Sequence, residues 1–283
     1  MAEQLAEVLR GIRTGGRIPL LSLFGRKSPL SAERLITAMT VGLIFLAWYV
    51  VTAQHIFSDV IVPSPARVWA AFLTICSEGY KGTSLLGHFA VSMERLLAAF
   101  FLVVITAIPI GLLSGCSTKI RAVFNPMISF YRPLPPLAYY TMLVIWMGID
   151  NSSKITLLYL AGFAPVYLSC LSGVAKVRRD FIRGAQVLGA SKHQVFVHVM
   201  LPACLPDIFT GLRTALGFSY TTLVAAEMVA AENGIGWMVL DASKFLMSDV
   251  IFVGIILMGV TGILMDWALL DLERRIVPWK GKE

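Results

Sequence analysis

Charge is what this chain has least of. Only 14% of its 283 residues are Asp, Glu, Lys or Arg, against about 25% in a soluble domain. The deficit falls in several long apolar runs, and 57% of all residues are hydrophobic. That excludes a soluble globular protein. The runs are continuous rather than alternating, which points away from a β-barrel and towards helices that satisfy their own backbones. Cysteine is sparse: Cys76, Cys116, Cys170 and Cys204 form no CxxC pair and no zinc spacing. They read as small apolar packing residues. There is no HExxH, no GxSxG and no His/Asp/Glu cluster near the apolar runs, which argues against a membrane-embedded enzyme. There is no GxxxxGK[ST] phosphate loop either, so this chain is not expected to hydrolyse ATP itself. No cleavable signal is expected, because the first apolar run begins near Leu35, behind a basic tail, and reads as a retained span.

What is present is an all-α membrane protein. At about twenty apolar residues per crossing, about six transmembrane helices are predicted. They run from Leu35 to Gln54, Leu96 to Gly115, Met127 to Ile149, Ile155 to Val174, Leu212 to Ala231 and Val250 to Leu270. Pro133, Pro135 and Pro136 break the first turns of the third, which predicts a short helix with an irregular entry. The net charge of +7 does not indicate nucleic acid, because Lys and Arg sit at the ends of apolar runs, where they set orientation. Seventeen of the 24 basic residues fall on one side: between Arg10 and Arg34, at Lys119 and Arg121, between Lys176 and Lys192, and from Arg274 onwards. That side is predicted to be cytoplasmic, with both termini inside. Arg67, Lys81, Arg95, Lys154 and Lys244 fall on the other. The predicted organisation is a basic tail over 1–34, a membrane domain over 35–272 and a tail over 273–283. Pro65 is placed to start a short helix in the first outer connection. Gly234 and Gly236 suggest a turn, with Trp237 at the interface. Gly111 and Gly115 are spaced for close helix approach.

One polar, basic stretch interrupts the apolar pattern, within a loop over about 175–210. Asp180 is a candidate N-cap for a helix ending near Leu188. Gly189 permits a sharp change of direction, and Ala190 leads to Ser191, a second candidate N-cap. The helix from Ser191 is predicted to run to about Met200 and to end at Pro202 and Pro206. On it Val195, Phe196 and Val199 form an apolar stripe with basic flanks, suited to docking in a partner's groove. The other reading is a hairpin lying on the membrane surface, with charges that only set topology.

The spacing of that stretch resembles the loop by which bacterial ABC importer permeases grip their ATPase. That pattern reads Glu-Ala-Ala, three residues, Gly, nine residues, Ile, one residue, Leu-Pro. It is met at Ala185, Gly189, Leu201 and Pro202, with Val199 for Ile; Arg183 and Gly184 depart from it. The Arg183 departure puts in question the ion pair that the pattern's Glu would make. Tyr131-Arg-Pro-Leu-Pro-Pro136, Val144-Ile-Trp-Met-Gly148, Thr222-Leu-Val-Ala-Ala-Glu227 and Gly234-Ile-Gly-Trp-Met238 resemble the taurine, sulfonate and nitrate branch of these permeases. Arg275-Ile-Val-Pro-Trp279 is similar to taurine permeases in particular. The resemblance covers about Ile61 to Trp279. It implies a type I importer permease fold, in a multi-pass subunit of the bacterial inner membrane that works as a homodimer. It also implies two ATP-binding subunits, which hold ATP and magnesium, and a periplasmic substrate-binding protein. No cofactor is expected in this chain. Aliphatic sulfonate or nitrate import is the nearest alternative, and an ATP-independent carrier or channel the alternative of another class.

Polar groups at membrane depth are the candidates for the substrate path. Arg132 could present a fork of donors to an oxyanion, or reach the inner headgroups instead. Tyr139 stands between a path and a packing role. Ser219 and Thr222 share a helix row that could face a pore, although hydroxyls also bond back to their own helix. Glu227 would repel an anion, and reads as part of a gate, a partner contact or a structural pair.

Overall fold

The computed structural model describes residues 30–54 and 56–280. Most of the basic N-terminal tail lies outside them. All regular elements among the described residues are helices. They fall into two units, residues 1–57 and residues 58–283.

In the first unit, α1 (Leu30–Ala53) is mainly apolar on all sides from Leu35 onwards. Leu35, Ile36, Leu43 and Phe45 are all exposed, as expected of a helix that lipid solvates.

The second unit begins with α2 (Pro65–Glu78). Ser64 caps it, accepting a hydrogen bond from the Arg67 N–H, and Pro65 opens it. There follow α3 (Leu85–Cys116), α4 (Thr118–Tyr131), α5 (Pro136–Met147), α6 (Asn151–Lys176) and α7 (Arg179–Val187). After these come α8 (Lys192–Val195), a π-helical turn (Phe196–Met200), α9 (Leu201–Ala230), α10 (Ile235–Lys244) and α11 (Ser248–Ile276). Helix α6 packs between α3 and α9, and their shared core includes Val103, Ala107, Tyr167, Cys170, Leu212 and Ala215. Cys170 and Cys204 are buried as packing residues, whereas Cys76 and Cys116 are exposed, contrary to expectation.

Glycine makes the close approach of α3 to α6 possible. A Cβ at Gly111 would lie 2.7 Å from the Cys170 Cβ and 3.0 Å from the Tyr167 carbonyl oxygen, and one at Gly115 would lie 2.6 Å from Val174. A backbone carbonyl cannot move aside as a side-chain tip can. Gly111→Val is therefore expected to cost about 1–3 kcal/mol by overpacking. A thermal unfolding scan of the detergent-solubilised protein reads this as a lower midpoint, and an unchanged midpoint would refute the contact.

Among the described residues, five helices are long and apolar enough to cross a membrane: α1, α3, α6, α11 and the continuous helix Lys192–Ala230. The predicted third span, Met127 to Ile149, is two helices. It breaks after Tyr131, and α5 has only 12 residues. At 1.5 Å per residue that is about 18 Å, short of a hydrocarbon core of about 30 Å. The prolines at 133, 135 and 136 remove the N–H donors that would have joined the pieces.

Pro202 and Pro206 do not end the helix that begins after Ser191. It runs on to Ala230. The π turn sits just before Pro202, and the Leu201 N–H bonds the Phe196 carbonyl five residues back. This wider turn makes room where the proline ring would otherwise meet the preceding turn.

Candidate functional site

The loop between α6 and α9 is built from local capping rules. Arg178, not Asp180, is the N-cap of α7. Asp180 sits in the first turn, where its charge suits the positive end of the helix dipole. The helix ends in a Schellman motif: Gly189 N–H donates to the Gln186 carbonyl and Ala190 N–H to the Ala185 carbonyl, both at 3.0 Å. Gly189 has φ +88°, and beyond its own chain neighbours no atom lies within 4 Å of where its Cβ would be. Glycine is needed there for backbone conformation rather than for space. Ser191 is the next N-cap, and Gln194 completes a capping box with it. Lys176 and Asp207, 2.6 Å apart, join the end of α6 to α9 at the base of the loop.

The exposed apolar surface of this loop is not the predicted one. Val195 is buried, and Phe196 and Leu201 pack against the core. Val199 and Pro202 are half-buried. Helix α7 has no buried residue, and the exposed apolar groups are Phe181, Val187 and Leu188, the last two 87% and 89% accessible. Arg183 and Gly184 are exposed beside them, and Ala185 is half-buried. The sequence signal was there: two apolar residues close a polar helix immediately before the turn glycine.

Between α6 and α9 lies a cavity of about 480 Å³. Tyr131, Arg132, Tyr139, Ser169, Thr214 and Phe218 are among its lining residues. Arg132 and Tyr139 are thus brought together, and the Tyr131 hydroxyl is buried without a hydrogen-bond partner. Ser219, Thr222 and Glu227 do not line this cavity. Ser219 donates to the Leu158 carbonyl at 3.0 Å, and Thr222 and Glu227 are buried.

Glu227 belongs to an ion-pair network at the opposite end of the helices. Arg95 Nη1 lies 2.8 Å from Glu227 Oε1. Arg95 also donates from Nε to Asn151 Oδ1 at 2.8 Å, and from Nη2 to Asn233 Oδ1 at 2.6 Å. The Ser92 hydroxyl and the Gly236 N–H donate to the same carboxylate. Nearby, Gly234 N–H donates to His88 Nδ1 at 3.2 Å. The network joins α3, α6, α9 and α10. Arg95 is 3% exposed and Glu227 1%, so Arg95 is not the solvent-facing orientation charge its sequence position suggested. Gly234 lets the chain close over this carboxylate: at φ +117°, its Cβ would lie 2.4 Å from Glu227 Cδ. Trp237, half-buried, stacks on His88 with ring centroids 5.6 Å apart.

Asp241 holds the adjoining α10 in place. It pairs with Lys81 at 2.8 Å and accepts a hydrogen bond from the Tyr80 hydroxyl at 2.9 Å. Hydrogen bonding from Lys81, assisted by that from Tyr80, holds its carboxyl below the usual carboxylate range. A depressed folded value stabilises above the unfolded value of about 3.9, and the effect fades as pH falls through the folded value. Lys81 is half exposed, so the gain is below about 1 kcal/mol. Wild type is expected to melt slightly above Asp241→Asn at pH 7, and the two melting curves should converge below about pH 4. A gap that persists at low pH would contradict this.

Long apolar helices joined by one capped polar loop, with a cavity beside a broken span, describe a multi-spanning transport subunit. Residues 107–278 match the family of binding-protein-dependent transport system inner membrane components, and the chain belongs to that family. It is 42% identical over 255 residues to the taurine transport system permease protein of Escherichia coli, covering 90% of this chain and 93% of that one. It is 35% identical to a probable ABC transporter permease of Brucella abortus, covering 83% and 91% of the two chains. It is 32% identical to a putative aliphatic sulfonates transport permease of Bacillus subtilis, covering 85% and 86%. The chain is therefore an ABC importer permease of the taurine, sulfonate and nitrate family, an inner-membrane component of such a transporter.

Proposed function

We propose that this permease conducts taurine across the bacterial inner membrane and that its 183–202 loop, with α7, couples it to a separate ATPase. The observation that carries the substrate is the 42% identity to a taurine permease over nearly the whole of both chains. The coupling role rests on the exposed Phe181, Val187 and Leu188 beside a rigid Schellman turn. The working unit is a homodimer with two ATP-binding subunits, which hold ATP and magnesium, and a periplasmic binding protein. Both termini are cytoplasmic.

The helix Lys192–Ala230 suits the coupling role. Its 39 residues span about 58 Å at 1.5 Å each. It leads from the capping box directly to Glu227, so motion imposed on the loop reaches the ion-pair network through one continuous element. A loaded binding protein shifts the equilibrium towards the outward-open state by binding that state better. Arg132 and Tyr139, in the cavity between α6 and α9, are assigned to the substrate path.

The alternative reading is an importer of aliphatic sulfonates, nitrate or another small oxyanion, supported by the 32% identity to a putative aliphatic sulfonates permease. Uptake of labelled taurine by the complete complex decides between them. Taurine is expected to be imported in an ATP-dependent way, with longer alkanesulfonates and nitrate competing weakly. Import of a longer sulfonate or of nitrate without taurine would refute the proposal.

A further inference from the structure

A second cavity, of about 690 Å³, opens at the end of the helices remote from the coupling loop. Arg95, Asp150, Ser152, Lys154, Glu232 and Asn233 are among its lining residues. Its volume is in the range of small-molecule sites. Lys154 is 2% exposed. Its ammonium donates to the carbonyls of Ile149 at 2.5 Å and Asp150 at 3.4 Å. None of the ion pairs among the described residues includes it. An ammonium has three donors, so one is left for a ligand. Burying a cation without a counter-charge is costly, and Glu227, the one buried carboxylate nearby among the described residues, is already engaged by Arg95, Ser92 and Gly236. Two buried cations thus face one buried anion. The first turn of α6 adds to the same field, because Asp150 stands at its N-cap without a side-chain capping bond. The mouth of the cavity has the opposite sign: Asp150 and Glu232 are both exposed.

We propose that this cavity binds a small zwitterion, with its oxyanion at Lys154 and its ammonium at the Asp150 and Glu232 carboxylates. A two-carbon aminosulfonate has this charge pattern. An alkanesulfonate or nitrate supplies only the inner half. The inference builds on the proposed taurine import for its choice of ligand, and locates selectivity for the ammonium group in the permease itself. A phosphatidylethanolamine headgroup carries similar charges; we commit to the free aminosulfonate.

The test uses the full-length permease in phosphatidylglycerol nanodiscs, without the binding protein, and measures direct binding of labelled taurine and ethanesulfonate. Taurine is expected to bind saturably and at least tenfold more tightly than ethanesulfonate. Lys154→Met should abolish binding of both. Asp150→Asn with Glu232→Gln, at exposed positions that leave the core untouched, should erase the preference for taurine while ethanesulfonate binding persists. No saturable taurine binding, or unchanged binding in a folded Lys154→Met protein, overturns the proposal. If Lys154→Met does not fold, the rim pair decides, and a taurine preference that survives both changes overturns it. Discs containing phosphatidylethanolamine separate the two sources. Lys154-dependent stabilisation by that lipid, with no taurine binding in its absence, would assign the cavity to a headgroup and overturn the free-ligand proposal. Taurine uptake by the complete complex is measured in parallel. Uptake without cavity binding removes this inference alone, whereas absence of uptake removes the proposed substrate.

Discussion

Arg95→Ala is expected to destabilise the permease by about 3–5 kcal/mol, the cost of leaving one member of a buried ion pair without the other. Glu227 is 1% exposed, and the guanidinium supplies its only charged partner among the described ion pairs. The same side chain also ties Asn151 on α6 and Asn233 before α10 to α3. Truncation therefore removes four hydrogen bonds together with the charge. Size-exclusion profiles after heating should show early loss of the folded peak. The double variant Arg95→Met with Glu227→Leu tests the cause. Removing both charges should recover part of the loss, although Ser92 and the Gly236 N–H then lose their acceptor. If Arg95→Ala melts like wild type, or the double variant is the sum of the two singles, the network is not what holds these helices together.

This pair also marks the limit of what the sequence could reveal. Arg95 and Glu227 are 132 residues apart. Each stands in a mainly apolar helical stretch, which signals a partner without saying which one. Local chemistry was more legible. The Gly189 turn and the Ser191 cap follow from residues within a few positions of each other, and both are present. Hydropathy located the apolar core of each long helix but not its ends. Helix α3 starts eleven residues before the predicted Leu96, because its first turns pair polar groups such as His88, Ser92 and Arg95 inside the protein. The Ser219 and Thr222 row reads either as facing a pore or as bonding back to its own helix; a bond to a neighbouring helix is not foreseen, because it depends on where α6 packs. The Leu158 carbonyl now accepts the Ser219 hydroxyl. Pro202 read as a stop, and only the shift of register just before it explains why the helix continues.

Leu188→Asp should uncouple transport while leaving the permease folded. Leu188 is 89% exposed, so no intramolecular packing is lost, and a surface substitution of this kind usually changes stability by less than about 0.5 kcal/mol. In the proposed complex the same side chain is covered by the ATPase. A buried leucine contributes about 1.5–3 kcal/mol, and an unpaired carboxylate in its place adds a desolvation cost. A combined loss of about 4 kcal/mol weakens association on the order of a thousandfold. ATPase pull-down and ATP-driven uptake should both collapse, with membrane accumulation and melting temperature unchanged. Val195→Asp is the contrasting case. Val195 is 4% exposed, so that variant should lose folded protein before it loses coupling. This difference separates α7 as the docking element from the helix that follows it. If Leu188→Asp still binds the ATPase and drives normal uptake, the contact is elsewhere and the exposed end of α7 has another role.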